Sequence, residues 1–126
     1  MLSSRAWRWI GFLLFTAVLL WLTLTPMESP SVNPGGFIDK IAHFSLFGLW
    51  SYLFGSFFDG YWKGVQLFAI TAIAGTVFGA MVEGLQLITS FGRSFELMDM
   101  VANAAGALSA GLATSLNLGL RRWRTH

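Results

Sequence analysis

Four long apolar runs, at about residues 8–25, 39–58, 65–89 and 97–119, take up most of this 126-residue chain, and nearly all of its charged residues fall at their ends. At about 1.5 Å of rise per residue, runs of about 17 to 25 residues match the roughly 30 Å hydrocarbon core that a membrane helix must cross. Backbone polar groups in lipid must be satisfied within the segment, so the expected fold is all-α, an integral membrane bundle of four transmembrane helices. The chain is 55% hydrophobic and only 11% charged, so almost nothing remains for a soluble domain. Residues 1–126 therefore read as one membrane domain, and any function must lie within the bundle or its short loops.

The first run shares one trait with a secretory signal, because Arg5 and Arg8 precede it. Its apolar stretch from Trp9 to Leu24 exceeds the usual h-region of about 7–15 residues, and Thr23-Leu24-Thr25-Pro26 lacks a small-residue cleavage pattern, so a retained helix is expected. Orientation follows from the basic residues. With a cytoplasmic N-terminus the inside collects Arg5, Arg8, Lys63, Arg121, Arg122 and Arg124, and the outside holds only Lys40 and Arg93. Both termini are then cytoplasmic, with Trp7, Trp9, Tyr61, Trp62 and Trp123 near that boundary as interfacial anchors.

Between the runs, Pro26, Pro30, Pro34, Gly35 and Gly36 oppose helix and mark an extracytoplasmic loop. Asp59-Gly60 predicts a short cytoplasmic turn, and Ser90 to Phe95 a second outer loop in which Ser94 can cap the fourth helix. Gly75 and Gly79 form a GxxxG pair, and Gly106 with Ala110 and Ala107 with Gly111 give similar stripes. Close packing of helices three and four is the favoured reading of these stripes, with a homodimer as the alternative.

The polar residues gather at one set of helix ends. Asp39 and His43 are four apart, as are Asp99 and Asn103, so each pair shares a helix face; Glu83 and Gln86 are three apart. Lys40, Arg93 and Glu96 lie at the same level, and three helices can converge a carboxylate-rich, histidine-containing cluster beneath the outer headgroups. Glu83 is the sharpest case, because an ionisable group inside a span is costly and should face a partner helix rather than lipid. Plainer roles compete at several positions. Asp39 suits the N-cap of helix two, Lys40 can snorkel, Arg93 can pair with Glu96 or a lipid phosphate, and Gln86 and Asn103 suit interhelical hydrogen bonds. For His43, Glu83 and Asp99 a functional reading is preferred, since three titratable groups on three helices exceed what packing requires. In that reading they form an acid/base or binding cluster, and Asp39, Lys40, Gln86, Arg93, Glu96 and Asn103 contact a substrate.

Absences narrow the chemistry. The chain has no cysteine, hence no disulfide, thiolate nucleophile or Cys-based metal site, and no GxSxG elbow, HExxH helix or P-loop. Its basic residues are dispersed rather than gathered into a nucleic-acid patch. A histidine with carboxylates can take a divalent metal, but the second histidine, His126, falls on the opposite side, so neither metal nor cofactor is expected. A His–carboxylate acid/base pair remains open, with Arg93 or Lys40 holding an anionic headgroup or phosphate.

Three segments carry a resemblance: Asp39-Lys40-Ile41-Ala42-His43-Phe44, then Glu83-Gly84-Leu85-Gln86, then Arg93-Ser94-Phe95-Glu96 running through Asp99 and Asn103 to Gly106. In order, these DK-x-x-HF, E-x-x-Q and R-x-x-[DE]-x-x-D-x-x-x-N-x-x-G patterns resemble the VanZ-like family of small bacterial membrane proteins, over about Thr25 to Gly111. The resemblance implies a multi-pass protein of the bacterial inner membrane, in a family whose founding member is linked to teicoplanin resistance. It implies functional positions at Asp39, Lys40, His43, Glu83, Gln86, Arg93, Asp99, Asn103 and Gly106, without implying that this chain confers resistance.

The leading functional expectation is recognition of an anionic lipid-linked or cell-wall-associated molecule from the outer leaflet, with membrane lipids as neighbours. Whether that molecule is also transformed stays open, because no nucleophile is evident. A proton or ion pathway is the alternative, weakened because the cytoplasmic halves of the helices offer only scattered Ser and Thr. A structural membrane subunit is a third.

Overall fold

A computed structural model describes residues 3–24, 37–58, 62, 64–89 and 97–116, with the side chains of 37, 39 and 89 outside that description. Four α-helices account for nearly all of it: α1 (Ser4–Leu24), α2 (Phe37–Ser56), α3 (Val65–Thr89) and α4 (Leu97–Ser115). Helix α1 starts four residues earlier than its apolar run because Ser3 Oγ accepts the Ala6 amide at 3.1 Å, an N-cap bond that satisfies one orphan donor of the first turn. Helix α2 begins at Phe37, so Asp39 lies inside its first turn; the N-cap reading of Asp39 is corrected, since a cap residue stands outside the helical dihedrals. The proposed cap Ser94, like Arg93 and Glu96, lies outside the described residues.

Helices α1 and α3 are long and apolar enough to cross a membrane. Helices α2 and α4 do not meet the same test. Helix α2 carries Asp39, Lys40 and His43 in its first turns, and α4 is rich in Ala, Gly and Ser, residue types that lower the mean hydropathy of a helix.

Helix α4 packs chiefly on α2 and α3, and α1 lies more loosely against α2 and α3. The two kinds of seam differ in chemistry. Across the α2–α4 seam the backbones nearly touch: a Cβ placed on Gly106 would lie 2.9 Å from Gly48 N and closer still to Phe44 O. Glycine is required there because any side chain would force two backbones apart. Of the small-residue stripe on α4, Gly106 thus serves α2, whereas Gly111 meets Phe68 and Ala107 meets the Gly75 position of α3. These faces are spent within the chain.

The α1 seam is built from rings instead. Phe12, Leu19, Phe47, Trp50 and Val82 form the buried apolar cluster, and Trp50 stacks on Phe78 at 4.1 Å between centroids while its Nε1 donates to Thr16 Oγ1 at 2.9 Å. At the end of α2, Arg8 donates to Ser56 O and Oγ at 3.3 and 3.1 Å and lies over the Phe57 ring, a cation placed at the negative end of a helix dipole. Trp9 stacks on the same Phe57 ring. These contacts set the start of α1 beside the end of α2, and Thr71 near the start of α3 meets Thr114 near the end of α4 at 3.2 Å. The helices therefore alternate in direction, and the opposite end of the bundle gathers His43, Glu83 and Asp99.

Candidate functional site

Three helices each deliver a polar side chain to that end. On α2, Lys40, His43 and Phe47 are spaced by three and four residues, which puts them on one face. On α4, Asp99 and Asn103 are one turn apart, and on α3 Gly75, Gly79 and Glu83 form a track of small residues that ends in a carboxylate. The glycine at 79 makes the site accessible to α4: a Cβ there would lie 2.9 Å from Asn103 Cβ, so only a bare backbone lets Asn103 enter.

The resulting cluster is buried and ordered from the bundle end inward. Lys40, whose side chain is 21% exposed, donates to Asp99 Oδ1 at 2.5 Å, a charge-assisted bond. The other oxygen of Asp99 lies 3.6 Å from His43 Nε2. On the far edge of the imidazole, Nδ1 is 3.1 Å from Asn103 Oδ1 and 4.0 Å from Glu83 Oε1. Glu83 is only 2% exposed and Asn103 1%. One donor atom each from His43, Glu83 and Asp99 falls within 4.8 Å of the others. The imidazole thus stands between two carboxylates, one near the bundle end and one deep, each addressing a different ring nitrogen. Such an arrangement can exchange a proton, balance the charge of a bound anion or share a cation.

Below the ring the site closes. Phe47, fully buried, lies parallel to His43 at 6.0 Å between centroids, and Ser51 one turn further donates its hydroxyl to Phe47 O at 2.6 Å. Thr114 likewise donates to Gly111 O at 3.0 Å. Among the described residues, Ser51 and Thr114 thus bond carbonyls of their own helices, and Thr71 meets Thr114 across the α3–α4 seam.

Sequence reasoning anticipated Lys40, His43, Glu83, Asp99 and Asn103, and these five meet. Gln86 also reaches α1: its Nε2 donates to the Thr23 carbonyl at 2.5 Å, tying α3 to the end of α1. The side chain of Asp39, together with Arg93 and Glu96, lies outside the described residues. Phe47 and Gly79 were not anticipated as parts of the site. Their signal was present, since Phe47 is one turn on from His43 and Gly79 one turn before Glu83.

A family model described as VanZ/LLP1 matches residues 9–117, which takes in most of α1 and all of α2 to α4. The chain belongs to the VanZ/LLP1 family. No curated protein and no solved structure matches it. Of the positions that carry the VanZ resemblance, Lys40, His43, Glu83, Asp99 and Asn103 form the cluster and Gly106 forms the α2–α4 seam beside it. Six of the described motif residues thus divide between a polar site and the close packing beside it, while Gln86 ties α3 to α1.

Proposed function

We propose that this VanZ-family chain is a multi-pass protein of the bacterial inner membrane, with four spans and cytoplasmic termini, whose polar cluster faces outward and recognises an anionic lipid-linked or cell-wall-associated molecule. The basic-residue asymmetry of the sequence supports that orientation, because Arg8 lies at the end opposite the cluster. Large apolar side chains exposed on every helix, among them Leu14, Trp21, Leu49, Ile73, Val77 and Leu112, support lipid contact around the whole bundle.

The observation that carries the reading is the cluster's one-sided access. Its most exposed member among the described residues is Lys40, a cation at the bundle end, while Phe47 closes the inner side. A molecule arriving at the headgroup level would meet Lys40 first and then the His43 ring, with Glu83 and Asp99 able to take or return a proton. The same closure argues against a proton or ion pathway, which needs polar groups or water across the full thickness.

Conservative variants test this. Glu83→Gln, His43→Ala and Asp99→Asn should abolish retention of a co-purifying lipid or headgroup, read by mass spectrometry after mild purification, while folded yield and thermal stability stay near wild type. Glycopeptide susceptibility of cells carrying the same variants is the phenotype to score in parallel. If yield and retention decline together across the set, the cluster serves packing and the proposal fails.

A further inference from the structure

Asn103 carries a donor that the cluster leaves unused. The residue is 1% exposed, and its Nδ2 has no hydrogen-bond partner among the described residues. The other amide atom is engaged: with the ring proton on Nδ1, His43 donates to Asn103 Oδ1 at 3.1 Å. The amide is also fixed in place. It packs on α3 only because Gly79 is bare, since a Cβ there would lie 2.9 Å from Asn103 Cβ and 3.2 Å from Nδ2. Held by an imidazole on one side and helix backbone on the other, Nδ2 is a preorganised donor. A buried amide hydrogen without an acceptor is costly, so an oxygen from outside the chain is the natural completion of the site.

The surroundings select the kind of oxygen. Nδ2 lies against Gly79, one turn before Glu83 on α3, and Glu83 Oε1 stands 4.0 Å from the same His43 Nδ1 that Asn103 Oδ1 meets. A carboxylate offers about four lone-pair sites, so Glu83 accepts a further donor whatever else it binds. An anionic oxygen brings only lone pairs to set against that carboxylate. A hydroxyl suits both groups, because its oxygen accepts from Nδ2 while its hydrogen donates to Glu83. An ammonium would suit Glu83 but not the amide donor. The cation of the cluster lies further out, where Lys40 holds Asp99. Asp99 is four residues from Asn103, about 6 Å along α4 by its rise.

We propose that the inner end of the cluster binds a hydroxyl group of the ligand, with Asn103 Nδ2 donating to its oxygen and Glu83 accepting its hydrogen, while Lys40 holds the ligand's anionic group at the bundle end. The inference rests on the proposed recognition of an anionic molecule and narrows its chemistry. Charge and hydroxyl lie a few bonds apart on one ligand, as in a phosphate ester of a polyol. An anion of the same charge and size without the hydroxyl leaves the amide donor unmet and binds less well. A lipid headgroup and a soluble polyol phosphate both carry this chemistry, and the experiment separates them.

The experiment uses the full chain, ¹⁵N-labelled at histidine and at the asparagine side chain, in lauryldimethylamine oxide, a detergent without hydroxyl groups. Dihexanoyl phosphatidylglycerol and dihexanoyl phosphatidylpropanol, equal in charge and nearly in size, are titrated in parallel and followed by NMR. The glycerol lipid should shift the Asn103 side-chain amide and bind at least about tenfold more tightly, on the order of one hydrogen bond. Asn103→Asp, which keeps the shape and replaces the donor by an acceptor, should abolish that preference; the two lipids on the unaltered chain decide the matter if this variant does not fold. Glycerol 1-phosphate reproducing the Asn103 shift points to a soluble ester, and a shift seen only with the lipid points to a headgroup; either supports the site. Equal affinity for the two lipids, or an unshifted Asn103 amide on binding, overturns the hydroxyl site and leaves anion recognition standing. A His43 ring with its proton on Nε2 and a lone pair at Nδ1 also overturns it, because Nδ2 is then spent on the ring. Glycerol alone shifting Asn103, with neither phosphate ester binding more tightly, would sink anion recognition and keep the hydroxyl site.

Discussion

Adding one methyl group at Gly106 probes the packing on which the site depends. A Cβ at that position lies 2.9 Å from Gly48 N and 3.2 Å from Gly48 Cα, with Phe44 O nearer still. All three obstacles are backbone atoms, so no rotamer change relieves them and α2 must move away from α4. Overpacking costs about 1–3 kcal/mol where side chains can adjust, and a rigid backbone obstacle places Gly106→Ala at the upper end, about 3 kcal/mol. Alanine's better helix propensity returns about 1 kcal/mol. The net loss is then about 2 kcal/mol, roughly a thirtyfold fall in the folded-to-unfolded ratio at about 1.4 kcal/mol per tenfold. Reversible unfolding in mixed detergent and SDS micelles measures it directly. Gly11→Ala and Gly84→Ala are the controls, since a Cβ at either position meets nothing within 4 Å and should leave stability unchanged or slightly raised. If Gly106→Ala unfolds at the same SDS fraction as these controls, the close α2–α4 approach is wrong. The variant also disturbs the Phe44 backbone next to His43, so ligand retention should fall with it.

Gln86→Leu removes the bond to the Thr23 carbonyl and should cost about 1 kcal/mol in the same unfolding assay, through weaker docking of α1; an unchanged midpoint would refute that role. Trp50→Phe keeps the ring stack on Phe78 but loses the Nε1 bond to Thr16, and a destabilisation of about 0.5–1.5 kcal/mol is expected, whereas a stabilised variant would contradict the bond. Because the chain lacks cysteine, single cysteines at Asn33, Gly92 and Gly60 report sidedness. Those at Asn33 and Gly92 should react with an impermeant thiol reagent in intact cells, and labelling of Gly60 instead would invert the proposed topology.

Helix class and the end at which polar residues gather were legible in the chain because both are local properties. An apolar run's length selects helix, and spacings of three and four put Asp99 with Asn103, or Lys40 with His43, on one face whatever the rest of the protein does. Family membership was legible for the same reason, as motifs at fixed spacing. The pairings were not. Asp99 takes Lys40, Asn103 takes the His43 ring, and Gln86 Nε2 donates to a backbone carbonyl of α1, a partner that the spacing of Glu83 and Gln86 does not specify. The stripe on α4 likewise divides between two neighbours, Gly106 against α2 and Ala107 and Gly111 against α3. Periodicity defines the faces of a helix but not its rotation against its neighbours. That rotation is set where backbones approach most closely, at Gly48 and Gly106, and where Asn103 packs on the bare Gly79, and those contacts join residues far apart in the chain.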